Sequence, residues 1–467
     1  MSSEKLAESF SKTVHSQPKD GGNEMKKVEE VHPNILNIEG GNPVEGEVFV
    51  RGAKNTVPKN MVAALLTSDP CVIKNVARIV DVDIVGDMIK AFGGSVKSVG
   101  GHSIRISASS VSQMPLEQMG EFAGKSRIPI LTCGPLLART GNVIVPALGG
   151  CQIGDRPVDF HIEALKALGA RVEVHDMHIE MSADRLRGAK ISLPYPSVGA
   201  TEQVLLASVL AEGTTELSNA AVEPEIMDLI AVLQKMGAII SVGTQRVITI
   251  HGVAKLSGFT HIALPDRLEA ASWACLAAAS NGRILVRGAE QMNMMTFLNA
   301  FRLAGGAFEV RESDIEFWRA GKDLAAMALE TDVHPGFMTD WQQPFGVMLT
   351  QADGLSVIHE TVYEGRFGYV EALNAMGARI QLYQKCLGQI SCRFANRNAL
   401  HSAVIAGPTT LRGAEIHIPD LRGGFSYIIA ALVAKGTSRL HNIQIIRRGY
   451  EDIIGKLKTL NANVREE

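Results

Sequence analysis

The sequence predicts an α/β protein of two domains, each built from three copies of one repeated unit. The chain has 467 residues, more than a single hydrophobic core usually serves. A helix-like segment, a small-residue turn and a strand-like segment recur six times along it, which indicates internal duplication. The segment Leu264–Asp266 falls between the third and fourth copies and predicts the domain boundary.

Each copy ends its helix at a glycine or, in the last copy, at an asparagine. Both residue types tolerate the left-handed backbone conformation that ends a helix. The alternation of apolar and polar residues that follows predicts a strand. The six positions are Gly93, Gly169, Gly237, Gly305, Gly377 and Asn461. A second helix rich in Ala, Leu and Ile lies upstream of each copy, so a unit holds two helices and several short strands.

Composition is that of a globular protein and excludes several classes of function. Hydrophobic residues make up 46% and charged residues 20% of the chain, and the formal net charge of −3 argues against a general nucleic-acid-binding protein. No apolar run approaches the roughly 18 residues of a membrane helix, so we expect no membrane partner. Residues 1–34 are polar and lack the apolar core of a secretory signal, which predicts a disordered tail.

Six cysteines are scattered along the chain without the paired spacing of a zinc site. Cys71, Cys133 and Cys275 lie in apolar runs and are expected in the core. Cys386 and Cys392 are interpreted as strand or loop positions rather than as metal ligands. The pattern is typical of a protein in the reducing cytoplasm.

The most informative motif is the glycine-rich segment Gly149–Asp159. Cys151 stands five residues before Arg156, and the glycines at 149, 150 and 154 predict a mobile loop that approaches a ligand closely. The arginine favours the thiolate over the thiol. The cysteine is therefore a candidate for shuttling a proton near neutral pH or for attacking an electrophile. An incidental cysteine in a surface loop fits the same residues.

Charged side chains gather at the junctions between predicted strands and helices. Lys54 and Asn55 follow the strand-like segment Glu47–Val50 and precede a helix, where exposed backbone N–H groups favour an anion. Several of the arginines further along the chain occupy similar places; the candidates are Arg127, Arg156, Arg366, Arg422 and the pair Arg447–Arg448. If the repeats share a threefold arrangement, these junctions converge on a small, highly charged anion such as a phosphorylated carboxylate; separate surface ion pairs are the alternative. Asp340, at a loop-to-helix boundary, is an N-cap or, if it faces a substrate hydroxyl, a base.

These motifs resemble those of the UDP-N-acetylglucosamine enolpyruvyl transferases over about residues 35–467. The matching segments are Gly52–Asn55, Gly150–Asp159, Ser197–Thr201, Leu264–Arg267, Thr339–Asp340, Glu364–Phe367, Asp420–Arg422 and Arg448–Tyr450. The cysteine-loop motif is specific, because the related shikimate-pathway enolpyruvyl transferase shares the repeat architecture but lacks that loop. The resemblance implies a two-domain inside-out α/β barrel, with three repeats per domain around a pseudo-threefold axis. One domain would run from 54 to 264, and the other would combine 35–53 with 265–467.

The resemblance also implies transfer of the enolpyruvyl group of phosphoenolpyruvate to the 3′-hydroxyl of UDP-N-acetylglucosamine, the first committed step of peptidoglycan precursor synthesis. The reaction adds and then eliminates, through a tetrahedral intermediate, without a metal or organic cofactor. Cys151 matches the acid that protonates the methylene, Asp340 a candidate base beside the sugar hydroxyl, and Lys54 and Arg448 groups that stabilise developing charge. The implied substrate-binding residues are Lys54, Asn55, Arg127, Arg156, Pro157, Val158, Asp159, Ser197, Val198, Gly199, Asp340, Val362, Arg366, Arg422 and Arg448.

The sequence departs from the family pattern at several positions. Arg447 stands where the family usually has an aspartate that would orient Arg448, and a second arginine is expected to add positive charge to the anion site. Tyr195 replaces a lysine often seen before the Ser-Val-Gly-Ala stretch, which bears on diphosphate binding. Further differences lie at Leu131, Met338 and Gly423–Phe425. Two alternatives follow: a paralogue that uses another nucleotide acceptor, and a catalytically silent UDP-sugar-binding regulator, against which the retained cysteine argues. The sequence predicts no oligomeric state.

Overall fold

A computed structural model of the chain describes residues 34–149, 158–390 and 392–467. None of the helices in these ranges is long and apolar enough to cross a bilayer. The α-helices are α1 (Val57–Ala63), α2 (Val80–Ala91), α3 (Met119–Phe122), α4 (Cys133–Thr140), α5 (Asp159–Ala167), α6 (Val198–Ser208), α7 (Pro224–Lys235), α8 (Arg267–Ala279), α9 (Met295–Leu303), α10 (Thr339–Leu349), α11 (Val370–Ala375), α12 (Leu421–Val433) and α13 (Ile453–Thr459). Short 3₁₀ helices cover Ala64–Leu66, Leu116–Gln118, Ile128–Thr132, Gln291–Asn293 and Ile443–Arg448.

The strands of the described ranges form six sheets, and three of these take their strands from the middle of the chain. In order across each sheet, these three contain β13 (Thr260–Ile262), β3 (Cys71–Lys74), β5 (Ser103–Ser107) and β4 (Ser95–Gly100); β6 (Asn142–Pro146), β8 (His178–Ser182) and β7 (Arg171–Val174); and β11 (Ile239–Val242), β12 (Ile248–His251), β10 (Thr214–Ser218) and β9 (Lys190–Ser192).

The other three sheets combine the two strands nearest the start of the described chain with strands after residue 282. They contain β15 (Gly306–Arg311), β16 (Asp314–Arg319), β14 (Arg283–Arg287) and β2 (Glu45–Phe49); β17 (Leu324–Ala325), β19 (Ala352–His359), β21 (Ser402–Gly407) and β20 (Ile380–Tyr383), with β18 (Ala328–Glu330) also beside β19; and β22 (Glu415–His417), β23 (Gly436–His441), β1 (Ile35–Gly40) and β24 (Asn463–Glu466).

The same pairing pattern recurs from sheet to sheet. Three neighbouring strands are antiparallel in every one of these sheets, and a parallel strand joins the edge in five of the six. The strand at the antiparallel edge always follows a helix that ends at one of the six glycine or asparagine positions singled out in the sequence. Their φ angles range from 57° at Asn461 to 102° at Gly237, which confirms the predicted left-handed helix ends.

Two hydrophobic clusters form the interior of the described residues. The first, here called the central core, lies between Val57 and Ala263; the second, the split core, combines Leu36–Val50 with Leu268–Val464. In the split core α8, α10 and α12 pack against one another. All 13 residues of α8 are buried, as expected for a helix that is covered on every side. Strands such as β14 alternate between buried and exposed residues, so the sheets have one face toward the helices and the other toward solvent.

Candidate active site

Lys54 and Arg448 meet at one buried carboxylate, that of Asp81. Lys54 lies in the turn before α1, and its Nζ is 2.7 Å from Oδ2 of Asp81. Arg448 ends the 3₁₀ helix Ile443–Arg448; its Nε donates to Oδ1 of Asp81 at 3.2 Å, and its Nη2 donates to the carbonyl oxygen of Lys125 at 3.0 Å. Asp81 and Lys125 lie in the half of the molecule built on the central core, whereas Arg448 lies in the half built on the split core. These bonds therefore join the two halves of the molecule.

Asp81 is ionised and holds both cations in place. Its side chain is 2% exposed. Burial alone would raise the pKa of Asp81, but the charges of Lys54 and Arg448 and the hydrogen bonds from them outweigh burial and lower that pKa. An ammonium carries three donors and a guanidinium five. Both cations thus have N–H groups beyond those that contact Asp81 and Lys125, and these are suited to an anionic ligand.

Gly449 allows Lys54 to reach this position. A Cβ atom at residue 449 would lie 2.9 Å from Cδ of Lys54 and 2.6 Å from Cδ2 of Leu421. Any larger residue would push the lysine side chain away from Asp81. The glycine after Arg448 is therefore part of the geometry that brings the two cations together.

A second polar group surrounds Asp340, the second residue of α10. Arg366 is 1% exposed; its Nη2 donates to Oδ1 of Asp340 and its Nε donates to the carbonyl oxygen of Thr339 at 3.2 Å. Burial opposes the charge of Arg366, but the neighbouring carboxylates of Asp340 and Glu360 outweigh it and raise the pKa of the arginine. Glu360, which is fully buried, accepts a 3.0 Å hydrogen bond from Oγ1 of Thr339. Arg366 is thus a fixed cation beside the carboxylate of Asp340, which is 20% exposed.

Arg422 is the third basic group, and it connects the Lys54–Arg448 pair with Arg366. Its Nη1 donates to the hydroxyl of Tyr450 at 2.7 Å, and its Nη2 is 3.8 Å from Oδ2 of Asp266, the N-cap of α8. Although burial opposes it, the neighbouring hydroxyl of Tyr450 and the carboxylates of Asp266 and Asp340 raise the pKa of Arg422. Asp340 therefore acts on both Arg366 and Arg422. Because Tyr450 adjoins the glycine that packs on Lys54, the three basic groups are contiguous.

Four of the residues expected to contact the nucleotide sugar lie at the starts of two neighbouring helices. Asp159 is the first residue of α5, and Ser197 is the N-cap of α6, where its Oγ accepts from the N–H of Ala200 at 3.4 Å. The helices pack against each other, and a Cβ atom at Gly199 would lie 2.9 Å from Nε2 of His161. Val198 and Gly199 thus open a helix whose N-terminal end lies beside that of α5.

A buried ion pair ties this region to the turn that carries Lys54. The carbonyl oxygen of Asn55 accepts a 3.0 Å hydrogen bond from Nζ of Lys59, and the same ammonium is 3.5 Å from Oε1 of Glu202 in α6. Burial raises the pKa of Glu202 to about 7, although the charge of Lys59 opposes this rise. Lys59 therefore fixes the position of the turn that carries Lys54 relative to α6.

Tyr195 packs against an arginine from the other half of the molecule. Cζ of Arg393 lies 4.4 Å from the centroid of the Tyr195 ring, and its Nη2 donates to the carbonyl oxygen of Val362. The Tyr195 hydroxyl is buried without a hydrogen-bond partner in the described structure, and burial raises its pKa. A positive charge is thus present beside the position where the tyrosine replaces a lysine. Arg393 could not be singled out from the sequence, since nothing in its spacing links it to residue 195.

Three predicted site residues, Cys151, Arg156 and Pro157, lie outside the described residues. Val158 immediately precedes α5, and Arg127 precedes the 3₁₀ helix Ile128–Thr132, two residues after Lys125. Asp81 is a site residue that was not predicted from the sequence. Asp81 and Asp83 both stand in the first turn of α2, where acidic residues are common, and no local signal separates the buried carboxylate from its exposed neighbour.

The positions that depart from the family pattern have simple structural settings. Arg447 does not add its charge to the anion site as expected, because it pairs with Glu466 of β24 at 2.6 Å. The carboxylate that orients Arg448 comes instead from Asp81. Leu131 is 2% exposed in the central core, and Met338 packs beside the split core. In the glycine pair of α12, a Cβ atom at residue 424 would lie 2.8 Å from Ile418 and from Ile446, so glycine permits close packing there.

Comparison with known proteins identifies the family of the chain. Residues 38–457 match the family model of EPSP synthase (3-phosphoshikimate 1-carboxyvinyltransferase). The UDP-N-acetylglucosamine 1-carboxyvinyltransferase of Protochlamydia amoebophila is 49% identical over 440 residues, which cover 92% of this chain and 94% of the relative. The enzyme of the same name from Zymomonas mobilis is 40% identical over 438 residues, covering 92% of this chain and 98% of the relative.

Solved structures show the same fold. The enolpyruvyl transferase NikO from Streptomyces tendae has a TM-score of 0.81 at 22% identity, covering 93% of this chain and 98% of its own. An EPSP synthase from Acinetobacter baumannii has a TM-score of 0.68 at 16% identity, covering 93% of this chain and 100% of its own. Together with the curated relatives, these matches show that the chain belongs to the enolpyruvyl transferase family and, within it, to the UDP-N-acetylglucosamine 1-carboxyvinyltransferases.

Proposed function

We propose that this protein transfers the enolpyruvyl group of phosphoenolpyruvate to the 3′-hydroxyl of UDP-N-acetylglucosamine and releases phosphate. The observation that carries the proposal is the meeting of Lys54 and Arg448 at Asp81, between the two cores and beside Arg422. Fixed cations of this kind suit a ligand that carries both a phosphate and a carboxylate. The reaction named for the curated relatives uses such a ligand, and in the cell it would begin peptidoglycan precursor synthesis in the cytoplasm.

We infer that the chain forms two domains, residues 54–264 and residues 35–53 with 265–467, and that the reaction takes place between them. Each domain would contain three repeats around a pseudo-threefold axis, with helices inside and sheets outside, as an inside-out α/β barrel. The division of the hydrophobic residues into a central and a split core supports the assignment, as does the division of the sheets into three and three. An active site between the domains is able to close on its ligands and exclude water.

The chemistry begins with a proton transfer to the methylene carbon of phosphoenolpyruvate, and we assign the acid to Cys151. Protonation makes the neighbouring carbon electrophilic, and the sugar 3′-oxygen attacks it while Asp340 accepts the hydroxyl proton. The resulting tetrahedral intermediate retains the phosphate. Loss of a proton from the new methyl group and departure of phosphate then restore the double bond. Lys54 and Arg448 would stabilise the charge on the phosphate throughout.

The remaining residues are assigned to binding. Arg127, Arg156, Arg366 and Arg422 would complete the site for the phosphate and the carboxylate. The nucleotide sugar would contact Asn55, Pro157, Val158, Asp159, Ser197, Val198, Gly199 and Val362. Arg393, which lies over Tyr195, would supply a positive charge near the diphosphate. Ionic and helix-end contacts of this type favour a nucleotide diphosphate over a neutral acceptor.

Phosphate release from phosphoenolpyruvate, measured with and without UDP-N-acetylglucosamine, tests the proposal. We expect release only with the sugar present, together with a product whose mass equals the nucleotide sugar plus an enolpyruvyl group. A panel of simpler nucleotides serves as the comparison. Turnover of one of these but not of UDP-N-acetylglucosamine would indicate a paralogue with another acceptor. Tight sugar binding without phosphate release from any acceptor would indicate a silent UDP-sugar-binding protein.

A further inference from the structure

We propose that His359, Cys386, Cys392 and His401 form a structural zinc site in the half of the molecule built on the split core. One donor atom from each residue lies within 4.8 Å of all the others. Tetrahedral zinc, with Zn–S of about 2.3 Å and Zn–N of about 2.0–2.1 Å, requires donor–donor separations of roughly 3.3–3.8 Å. Sγ of Cys386 and Nε2 of His401 are already 3.3 Å apart. Small side-chain rotations would bring all four donors into coordination.

The outer nitrogens of both histidines are held as they are in known metal sites. Nδ1 of His359 is 3.3 Å from Oε2 of Glu330, and Nδ1 of His401 is 2.8 Å from the carbonyl oxygen of Ala399. A metal-bound histidine typically donates its second N–H to a carboxylate or a carbonyl, which fixes the ring and turns Nε2 toward the ion. The ligand set of two cysteines and two histidines is that of a closed, structural zinc site.

An unsatisfied buried nitrogen provides an independent reason to place an ion here. His359 is 0% exposed, and its Nε2 has no hydrogen-bond partner in the described structure. Buried polar atoms in native proteins nearly always have a partner, and an exception calls for an explanation such as an ion. Because Nδ1 of the ring is already directed at Glu330, a metal between Nε2 and the two cysteines would satisfy the ring completely.

The rigid part of the proposed site is the sheet that contains β18, β19 and β21. His359 ends β19, Glu330 pairs with it at the end of β18, and His401 directly precedes β21. Both cysteines lie in the connection 384–401 between β20 and β21, which is far longer than the two to five residues usual for a hairpin loop. A metal held by two residues at the sheet and two in this connection would fasten the connection to the sheet.

The location also suggests what the metal does for the protein. Arg393, the residue after Cys392, lies over Tyr195 and donates to the carbonyl oxygen of Val362. Coordination of Cys392 would fix the backbone from which this arginine extends across the two halves. An effect on nucleotide-sugar binding is therefore expected, and this consequence alone rests on the proposed function. The presence of zinc does not depend on it.

Metal analysis of the full-length protein, purified without added chelator and without a histidine tag, tests the proposal. We expect one zinc per chain by mass spectrometry of the metal content. Replacement of zinc by Co²⁺ should give the visible bands of tetrahedral cobalt and a thiolate-to-cobalt charge-transfer band. Cys386→Ser and Cys392→Ser should lose the charge-transfer intensity and the bound zinc. Cys275→Ala, which removes a buried cysteine that is not among the four proposed ligands, should retain both.

Glu330→Gln is a second variant that keeps all four ligands, and it should weaken zinc affinity about 10–100-fold. It keeps the proposal testable if the cysteine variants fail to fold. Wild-type protein that contains no zinc after growth with zinc and develops no charge-transfer band with Co²⁺ would overturn the proposal. So would a disulfide between Cys386 and Cys392 in freshly isolated protein, detected by mass after alkylation. Zinc bound without any enolpyruvyl transfer would leave this inference intact and refute only the proposed function.

Discussion

Asp81→Asn tests whether the carboxylate between Lys54 and Arg448 positions both cations for catalysis. The carboxylate makes two charge-assisted contacts, of 2.7 and 3.2 Å. Such bonds contribute about 1.5–3 kcal/mol each and are roughly twice as strong as neutral ones. Asparagine keeps one acceptor oxygen and places an NH2 donor where the other stood, so one contact is lost, at about 2 kcal/mol, and the other becomes a bond to a neutral acceptor, weaker by about 1 kcal/mol. The total of about 3 kcal/mol corresponds to a fall of roughly 150-fold in kcat/KM if both contacts are needed in the transition state.

The assay is steady-state phosphate release at varied phosphoenolpyruvate and saturating nucleotide sugar, together with urea unfolding. Asp83→Asn is the matched control, because Asp83 lies in the same first turn of α2 but is exposed. Removing one partner of a buried ion pair typically costs about 3–5 kcal/mol. Because Lys54 and Arg448 are 19% and 24% exposed and retain access to water, we expect a smaller loss of about 1–3 kcal/mol in the free energy of unfolding.

The pH dependence of this stability difference has a definite sign. The folded pKa of Asp81 lies below its ordinary value of 3.8. The ionised carboxylate therefore contributes its full stabilisation above pH 3.8, and the contribution disappears as the pH falls through the lower, folded pKa. The difference between wild type and Asp81→Asn should be constant near neutral pH and shrink below pH 3.8. Equal kcat/KM values for Asp81→Asn and the Asp83→Asn control would refute the positioning role, and a lower KM for phosphoenolpyruvate would show that Asp81 competes with the substrate.

Three further predictions follow from the same geometry. Cys151→Ser should lose most phosphate release while its thermal unfolding stays unchanged; turnover like that of wild type would refute the acid role. Gly449→Ala should lower kcat/KM for phosphoenolpyruvate about tenfold by displacing Lys54. Gly120→Ala is the control and should leave kcat/KM unchanged, because a Cβ atom at residue 120 meets nothing within 4 Å. Equal kinetics for the two variants would contradict the steric argument. Glu225→Gln breaks a bidentate ion pair with Arg267 that joins the two halves of the molecule, and both side chains are at most 3% exposed. We expect the substitution to lower the free energy of unfolding in urea by about 3–5 kcal/mol. A change within about 0.5 kcal/mol of zero, typical of surface sites, would show that the pair is not needed.

Features that depend on local backbone chemistry could be predicted from the sequence. Gly237 and Asn461 end helices in the left-handed conformation, as their residue types indicated, and each is followed by a strand. Asp266 and Asp420 cap helices in the segments that resembled the family. In each case the signal and its structural consequence lie within a few residues of each other, so no knowledge of the fold was required.

Features that depend on contacts between distant segments could not be predicted in this way. The carboxylate of Asp81 is paired with a residue more than 360 positions away, and its sequence neighbourhood indicates only the start of a helix. Cys386 and Cys392 were expected in strands or loops, and both lie in the connection after β20. Their spacing gave no indication of His359, which is brought beside them by the pairing of β19 with β21.

The two departures that placed the acceptor in question are each compensated within the structure. At Arg447 the additional positive charge is neutralised by Glu466, and the carboxylate that orients Arg448 comes from Asp81 in the other half of the molecule. At Tyr195 a lysine is missing, but Arg393 places a guanidinium over the aromatic ring. A binding site recognises its ligand by the charges and donors around it, not by which segment supplies them. With Arg393 assigned to the diphosphate, as proposed above, the departures preserve the positive charge of the site, and they do not favour a different acceptor.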